Sequence, residues 1–129
     1  MLSTSKAVAF VSVTDLDRAR AFYEGLLGLK VLSQGPFALN CEAGGVAVMI
    51  TKVPAVTPQT FTVLGFEVED IGAMVDGLAA RGVVFEHYPY FAPDQDARGV
   101  WTAPSGTLVA WFKDPDGNLL SVSTSKTAS

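Results

Sequence analysis

The sequence predicts an α+β fold of two tandem βαβββ units, each laying a helix on the outer face of a mixed sheet. Three observations predict it. The stretch from Ala7 to Val31 runs strand, helix, strand, and Thr62 to Phe85 repeats that plan about 55 residues further on. A second signal is the run Leu108 to Ser123, two apolar segments around the turn Asp114-Pro115-Asp116-Gly117-Asn118. The third is alternation within strands, which separates an apolar face from a mixed one.

The first strand leads into Val13-Thr14-Asp15-Leu16, where small polar side chains can cap the free N–H groups of a starting helix. Leu16, Ala19, Phe22, Tyr23, Leu26 and Leu27 then recur at helical spacing opposite Asp17, Arg18, Arg20 and Glu24, and Gly28 supplies a left-handed stop. Leu29 to Ser33 reads as a strand, Gln34-Gly35-Pro36 as a turn and Phe37 to Cys41 as a strand. Gly44-Gly45 is a tight turn before a strand from Val46 to Lys52. Pro54 and Pro58 mark residues 53–60 as a linker joining repeat units 6–52 and 61–124 into a single domain, 1–129.

In the second unit Val68-Glu69-Asp70-Ile71 takes the place of the first cap. Ile71, Met74, Val75, Leu78 and Ala79 form one helical face, and Gly82 is the stop. Val83 to His87 is expected as a strand, Tyr88 to Arg98 as a long loop, Val100 to Thr102 as a strand and Pro104-Ser105-Gly106 as a turn. Met1 to Ser5 and Thr124 to Ser129 read as frayed ends.

The final hairpin also predicts its own register. Pro115 presets one turn residue and Gly117 supplies a positive φ, so Lys113 faces Leu119, Phe112 faces Leu120 and Trp111 faces Ser121. Ala110, Phe112, Leu120 and Val122 then share the helix-covered side, leaving Val109, Trp111, Ser121 and Ser123 on a mixed face. The first strand divides likewise, with Ala9, Val11 and Val13 against Val8, Phe10 and Ser12. A mixed face suits the wall of a ligand cleft better than a core.

The 129 residues suffice for one compact unit or two halves sharing a core, with roughly two-thirds of the unfolded surface buried. Cys41 is the only cysteine, so no intrachain disulfide forms. No charged leader precedes an apolar run, and no apolar stretch nears the roughly 20 residues of a spanning helix, so a cytoplasmic protein with no membrane partner is expected. A net charge of -4 with nine scattered Lys and Arg offers no basic face, which argues against nucleic acid as a partner.

The run V-x-D-L-D-R-A-R-A-F-Y-x-x-x-L-G-L at Val13 to Leu29 and W-F-K-D-P-D-G-N at Trp111 to Asn118 resemble the vicinal oxygen chelate superfamily. That group includes glyoxalase I, extradiol dioxygenases, and the fosfomycin and bleomycin resistance proteins. The resemblance covers Ala7 to Ser123 and implies a U-shaped sheet and a homodimer. In metal-dependent members it implies a divalent ion held by His, Gln or Glu from four strands. Those positions fall on Val8, Met49, Val63 and Ser121, none of which offers imidazole or carboxylate, so neither metal nor other cofactor is expected.

The candidate ligand-binding residues are Phe10, Ser12, Met49, Trp101, Trp111 and Ser121, and no catalytic residue is singled out. Trp111 either meets a ligand or packs against a strand or subunit. Trp101, Tyr88, Tyr90 and Phe91 gather around the long loop as a ligand pocket or as a dimer seam. Arg98 either neutralises an acidic ligand or is a solvated charge, and Glu67 is a base if buried and otherwise an exposed strand end. Cys41 adjoins Glu42, whose charge would raise a thiol pKa, and the lone His87 can form a two-histidine site only across a dimer. The leading expectation is metal-free binding of a small apolar or aromatic molecule, of the sequestration or resistance type. The alternatives are a metal-dependent lyase, isomerase or dioxygenase using displaced ligands such as His87 and Glu67, and a dimerising accessory module whose cleft is filled by Trp111 and Phe10.

Overall fold

The structure, a computed structural model, describes residues 1–124. The chain falls into two compact units, Met1–Pro58 and Gln59–Ser129. In the first, β1 (Val8–Val13) leads into α1 (Leu16–Arg20), which widens into a π-helical stretch, Ala21–Leu26, before β2 (Lys30–Gln34), β3 (Ala38–Ala43) and β4 (Val46–Lys52). The four strands form one sheet in the order β1-β4-β3-β2, with β1 parallel to β4 and the other pairs antiparallel.

The helix starts where the sequence places it, because Asp15 accepts a 2.9 Å hydrogen bond from the Arg18 backbone N–H through Oδ1. Its second half departs from the expected α-helix. The Leu27 N–H donates to the Phe22 carbonyl at 3.0 Å, five residues back, and the wider turn lets the adjacent Phe22 and Tyr23 both enter the interior. Their rings meet edge to face with centroids 5.0 Å apart. Gly28, at φ 77°, closes the helix as expected. Beneath lie Val11, Val13, Leu39, Cys41, Val48 and Ile50, all buried, each Val, Leu or Ile contributing about 1.5–3 kcal/mol by leaving water.

The second unit repeats the plan with β5 (Thr62–Glu67), α2 (Ile71–Ala80), β6 (Trp101–Thr102), β7 (Leu108–Lys113) and β8 (Leu119–Ser123), in sheet order β5-β8-β7-β6. The Asp70 Oδ1 accepts from the Ala73 N–H at 3.0 Å, the counterpart of the Asp15 cap. The predicted hairpin register is present, with Lys113 opposite Leu119, Phe112 opposite Leu120 and Trp111 opposite Ser121. Ala110, Phe112, Leu120 and Val122 are buried as expected. The turn is held by Asp114, whose Oδ1 accepts from the Asp116 and Asn118 N–H groups and whose Oδ2 accepts from Asn118 Nδ2.

Three expectations in this half are corrected. Val83 to His87 is not a strand: only Phe85 bridges to Phe112, and the Glu86 N–H donates to the Trp111 carbonyl at 2.8 Å. The edge of β7 is shared, because β6 pairs with Leu108 and Val109 at its other end, so neither piece can extend. On α2 the buried face is Ile71, Val75 and Leu78 alone; Met74 is 39% exposed and Ala79 is exposed. Thr124 is not frayed but buried, its N–H donating to Leu108 O at 3.1 Å as the hairpin continues. The rest of the expected frayed end, residues 125–129, lies outside the described residues.

Candidate functional site

Pairing in the second unit fixes what lies on the face away from α2. Ser121 stands opposite Trp111 on one side and Gly65 on the other, and Trp101 stands opposite Val109. Since Val109 and Trp111 are two residues apart on one strand, Trp101 and Trp111 are diagonal neighbours on the same face. Their ring centroids are 5.8 Å apart with planes tilted by 35°, so the two indoles tile one surface. The Trp111 Nε1–H donates to Thr62 Oγ1 at 3.1 Å, which fixes how that indole lies. Ser121 is buried, and a Cβ on residue 65 would come within 2.9 Å of its Oγ, so any larger residue there would force the Ser121 hydroxyl to turn aside.

Over the two indoles lies Phe91, delivered by a 3₁₀ turn, Pro89–Phe91. It stacks on Trp101 at 4.3 Å with planes 21° apart and on Trp111 at 5.1 Å with planes 16° apart. Tyr88 meets Trp111 edge-on at 5.8 Å and stacks on Tyr90 at 5.4 Å. Burial, with the charge of Glu86 and a smaller contribution from Tyr90, raises the Tyr88 phenol pKa, so it is a neutral donor near pH 7.

The loop carrying these rings is tied at its base. Gln95 accepts from the Tyr88 N–H through Oε1 at 2.9 Å, and its Nε2 donates to Glu86 O at 2.9 Å and Gly99 O at 3.0 Å. Asp96 Oδ1 accepts from the N–H groups of Arg98 at 2.8 Å and Val100 at 2.9 Å. Burial pushes the Asp96 carboxyl up, but those N–H donors and the Arg98 guanidinium outweigh it and hold it below the usual carboxylate range. Nothing in residues 88–98 signals Gln95 at the sequence level beyond its being a side chain able to serve three backbone groups, and sequence reasoning missed it.

In the first unit the open face holds Phe10 opposite Met49, with Asn40 on the other side of Met49, and Ser12 opposite Thr51. Phe10 is 64% exposed. The six predicted residues therefore fall in two groups of three, Phe10, Ser12 and Met49 on one sheet and Trp101, Trp111 and Ser121 on the other.

Other candidates resolve individually. Arg98 is neither solvated alone nor free for an acidic ligand, because it pairs with Asp76 at 3.3 Å and Asp96 at 3.5 Å. Glu67 is exposed, and His87 is exposed with Nε2 3.2 Å from the Ala97 carbonyl. Cys41 has the raised thiol pKa that was expected, but from a different cause: burial first, then the charge of Glu24, against the lowering effect of Arg20. It is an inert core residue.

The metal positions implied by resemblance do not fit a divalent ion. Val8 lies two residues before the partner of Met49, and Val63 two residues before the partner of Ser121, so the two pairs correspond in sequence, although Val63 falls in a register shift between Thr62 and Leu64 where Val8 pairs regularly with Ala47. Their donors amount to a thioether and a hydroxyl. Among the described residues no group of three or more His, Cys, Asp or Glu side chains is placed to hold a metal.

The family model described as Glyoxalase/Bleomycin resistance protein/Dioxygenase superfamily matches residues 6–122. A search of curated proteins finds no match. Among solved structures, a glyoxalase family protein from Enterococcus faecalis superposes with a TM-score of 0.74 at 18% identity, over 95% of this chain and 99% of that one. A genomically encoded fosfomycin resistance protein from Listeria monocytogenes gives 0.73 at 14% identity, over 95% and 94% of the two chains. A lactoylglutathione lyase from Agrobacterium tumefaciens gives 0.69 at 18% identity, over 95% and 96%. At these identities the likeness is one of fold.

Proposed function

The chain belongs to the glyoxalase/bleomycin resistance protein/dioxygenase superfamily, and on that premise we propose that it binds a small, largely apolar or aromatic molecule without a metal. One observation carries the reading: Trp101 and Trp111 tile one open sheet face and already hold an aromatic ring against it, while the inherited donor positions carry hydrocarbon, a thioether and a hydroxyl. Such a surface gains from desolvating a flat apolar solute. The proposed contacts are Trp101, Trp111 and Ser121 on the second sheet and Phe10, Ser12 and Met49 on the first. Sequestration of a drug or metabolite, in the cytoplasm and by a homodimer of one glyoxalase-like domain per chain, is the role this chemistry suits.

Titration with a panel of aromatic compounds, followed by Trp fluorescence, tests it. Saturable quenching or a spectral shift with at least one compound, lost in Trp111→Ala, is the expected result. No change across the panel would overturn the reading, as would stoichiometric tightly bound metal in protein purified without a chelator or an affinity tag. Light scattering should give a dimer.

A further inference from the structure

Resting on that reading, we propose that the Trp101–Trp111 surface is a platform for a planar fused aromatic ring system, and that Phe91 is its built-in competitor. Phe91 makes with the two indoles the contact a ligand would make, faces nearly parallel at 4.3 and 5.1 Å. Two tiled indoles present more π-surface than one phenyl ring can cover, so a bicyclic or tricyclic solute gains contact that Phe91 leaves unused.

The loop is built so that this exchange leaves its base intact. The ties of Gln95 and Asp96 lie outside the tip. Within residues 89–94 the hydrogen bonds run locally, from the Phe91 N–H to Tyr88 O, from the Ala92 N–H to Pro89 O and from the Asp94 N–H to Phe91 O. The tip joins the sheet through the Thr102 N–H, which donates to Asp94 O at 2.9 Å, and through ring faces. Tyr90, 74% exposed, stacks on Tyr88, and Phe91 meets Tyr90 at 4.7 Å and Tyr88 at 5.7 Å edge to face, so a swing of Phe91 gives up those two contacts and uncovers the indoles, except where Tyr88 meets Trp111, without breaking the base. Glu86 and Lys113 pair at 3.5 Å and leave no net charge from that pair. The class implied is thus a flat ring recognised by its face rather than by a charge.

Acridone, an uncharged planar tricyclic fluorophore, and adamantanol, an uncharged apolar solute without a flat face, separate the outcomes. If closed and open states stand at about ten to one, covering the platform weakens binding about tenfold. Phe91→Ala should then bind acridone about tenfold more tightly than the unmodified protein, and adding Trp111→Ala should abolish the gain. Phe91→Leu, which keeps an apolar anchor on the loop, serves where Ala costs too much stability and should fall between. In the unmodified protein the Phe91 ring protons, shifted upfield by the indoles, should move toward unshifted values as acridone saturates. Equal or weaker binding by both Phe91 variants, a ring that stays in place at saturation, or adamantanol binding as tightly as acridone would overturn the proposal. Ligand binding that needs Trp111 but ignores Phe91 would leave the functional reading standing and remove the competitor; no binding of any panel compound in any variant would remove both.

Discussion

The two units share a strand order and an aspartate cap, yet the first leaves its open face bare where the second roofs its own. Opposite Met49 stands Phe10, 64% exposed, and opposite the corresponding Ser121 stands Gly65. On the other flank Asn40 in the first unit corresponds to Trp111 in the second. Core faces are held alike by packing, because any change of volume there is felt at once. Open faces carry no such constraint, and the connection between α2 and β7 is long enough to lay rings over one of them. Repetition of a fold therefore preserves the buried side and frees the other.

Substitutions can break this contrast. Trp111→Ala should cost the most, about 2–4 kcal/mol, since it removes three ring contacts and the bond to Thr62, whereas Phe10→Ala should stay within about 0.5 kcal/mol. Urea unfolding of the two variants measures the difference directly. Gln95→Ala comes next, at about 1–3 kcal/mol, because three backbone groups lose their partner. Amide exchange should then speed up across residues 88–99 and leave the first unit unchanged. Smaller still, Asp15→Ala and Asp70→Ala should each cost about 1 kcal/mol, and a large inequality in denaturation midpoints would mean that the two caps are not equivalent devices.

The smallest effect is one of pH. Asp96 has a folded pKa below its ordinary value, so its contribution is fully present above about pH 4 and is lost as pH falls through the lower folded value. Its side chain is 46% exposed, which keeps the effect modest. Trp fluorescence should shift to the red on acidification before global unfolding, and Asp96→Asn should abolish that early step.

Much of the scaffold was legible because local signals agreed with one another. Asp15 and Asp70 before apolar runs, Gly28 and Gly82 after them, and the Pro115–Gly117 turn each specify a backbone state that little else satisfies. The π-helical stretch was not, since its only trace is the adjacent pair Phe22-Tyr23 within a pattern that an α-helix also fits. The failure of Val83 to His87 as a strand was hidden for another reason: alternation reports a strand's faces but not whether an edge is vacant to receive it. Of the site, the gathering of Tyr88, Tyr90, Phe91 and Trp101 could be read from their nearness in the chain, but that Phe91 lies flat on both indoles depends on packing. The same holds for Arg98, whose partner Asp76 is remote in sequence.

The Asp114 carboxylate binds the backbone of its own turn and the side chain of Asn118, so the last hairpin needs no distant residue to define it. β1, by contrast, finds its parallel partner β4 only after the helix and two other strands have intervened. Short loop closure being the faster event, the C-terminal hairpin and the β3–β4 hairpin are expected to form first and to offer β5 and β1 finished templates, while the parallel pairs β5–β8 and β1–β4 close late.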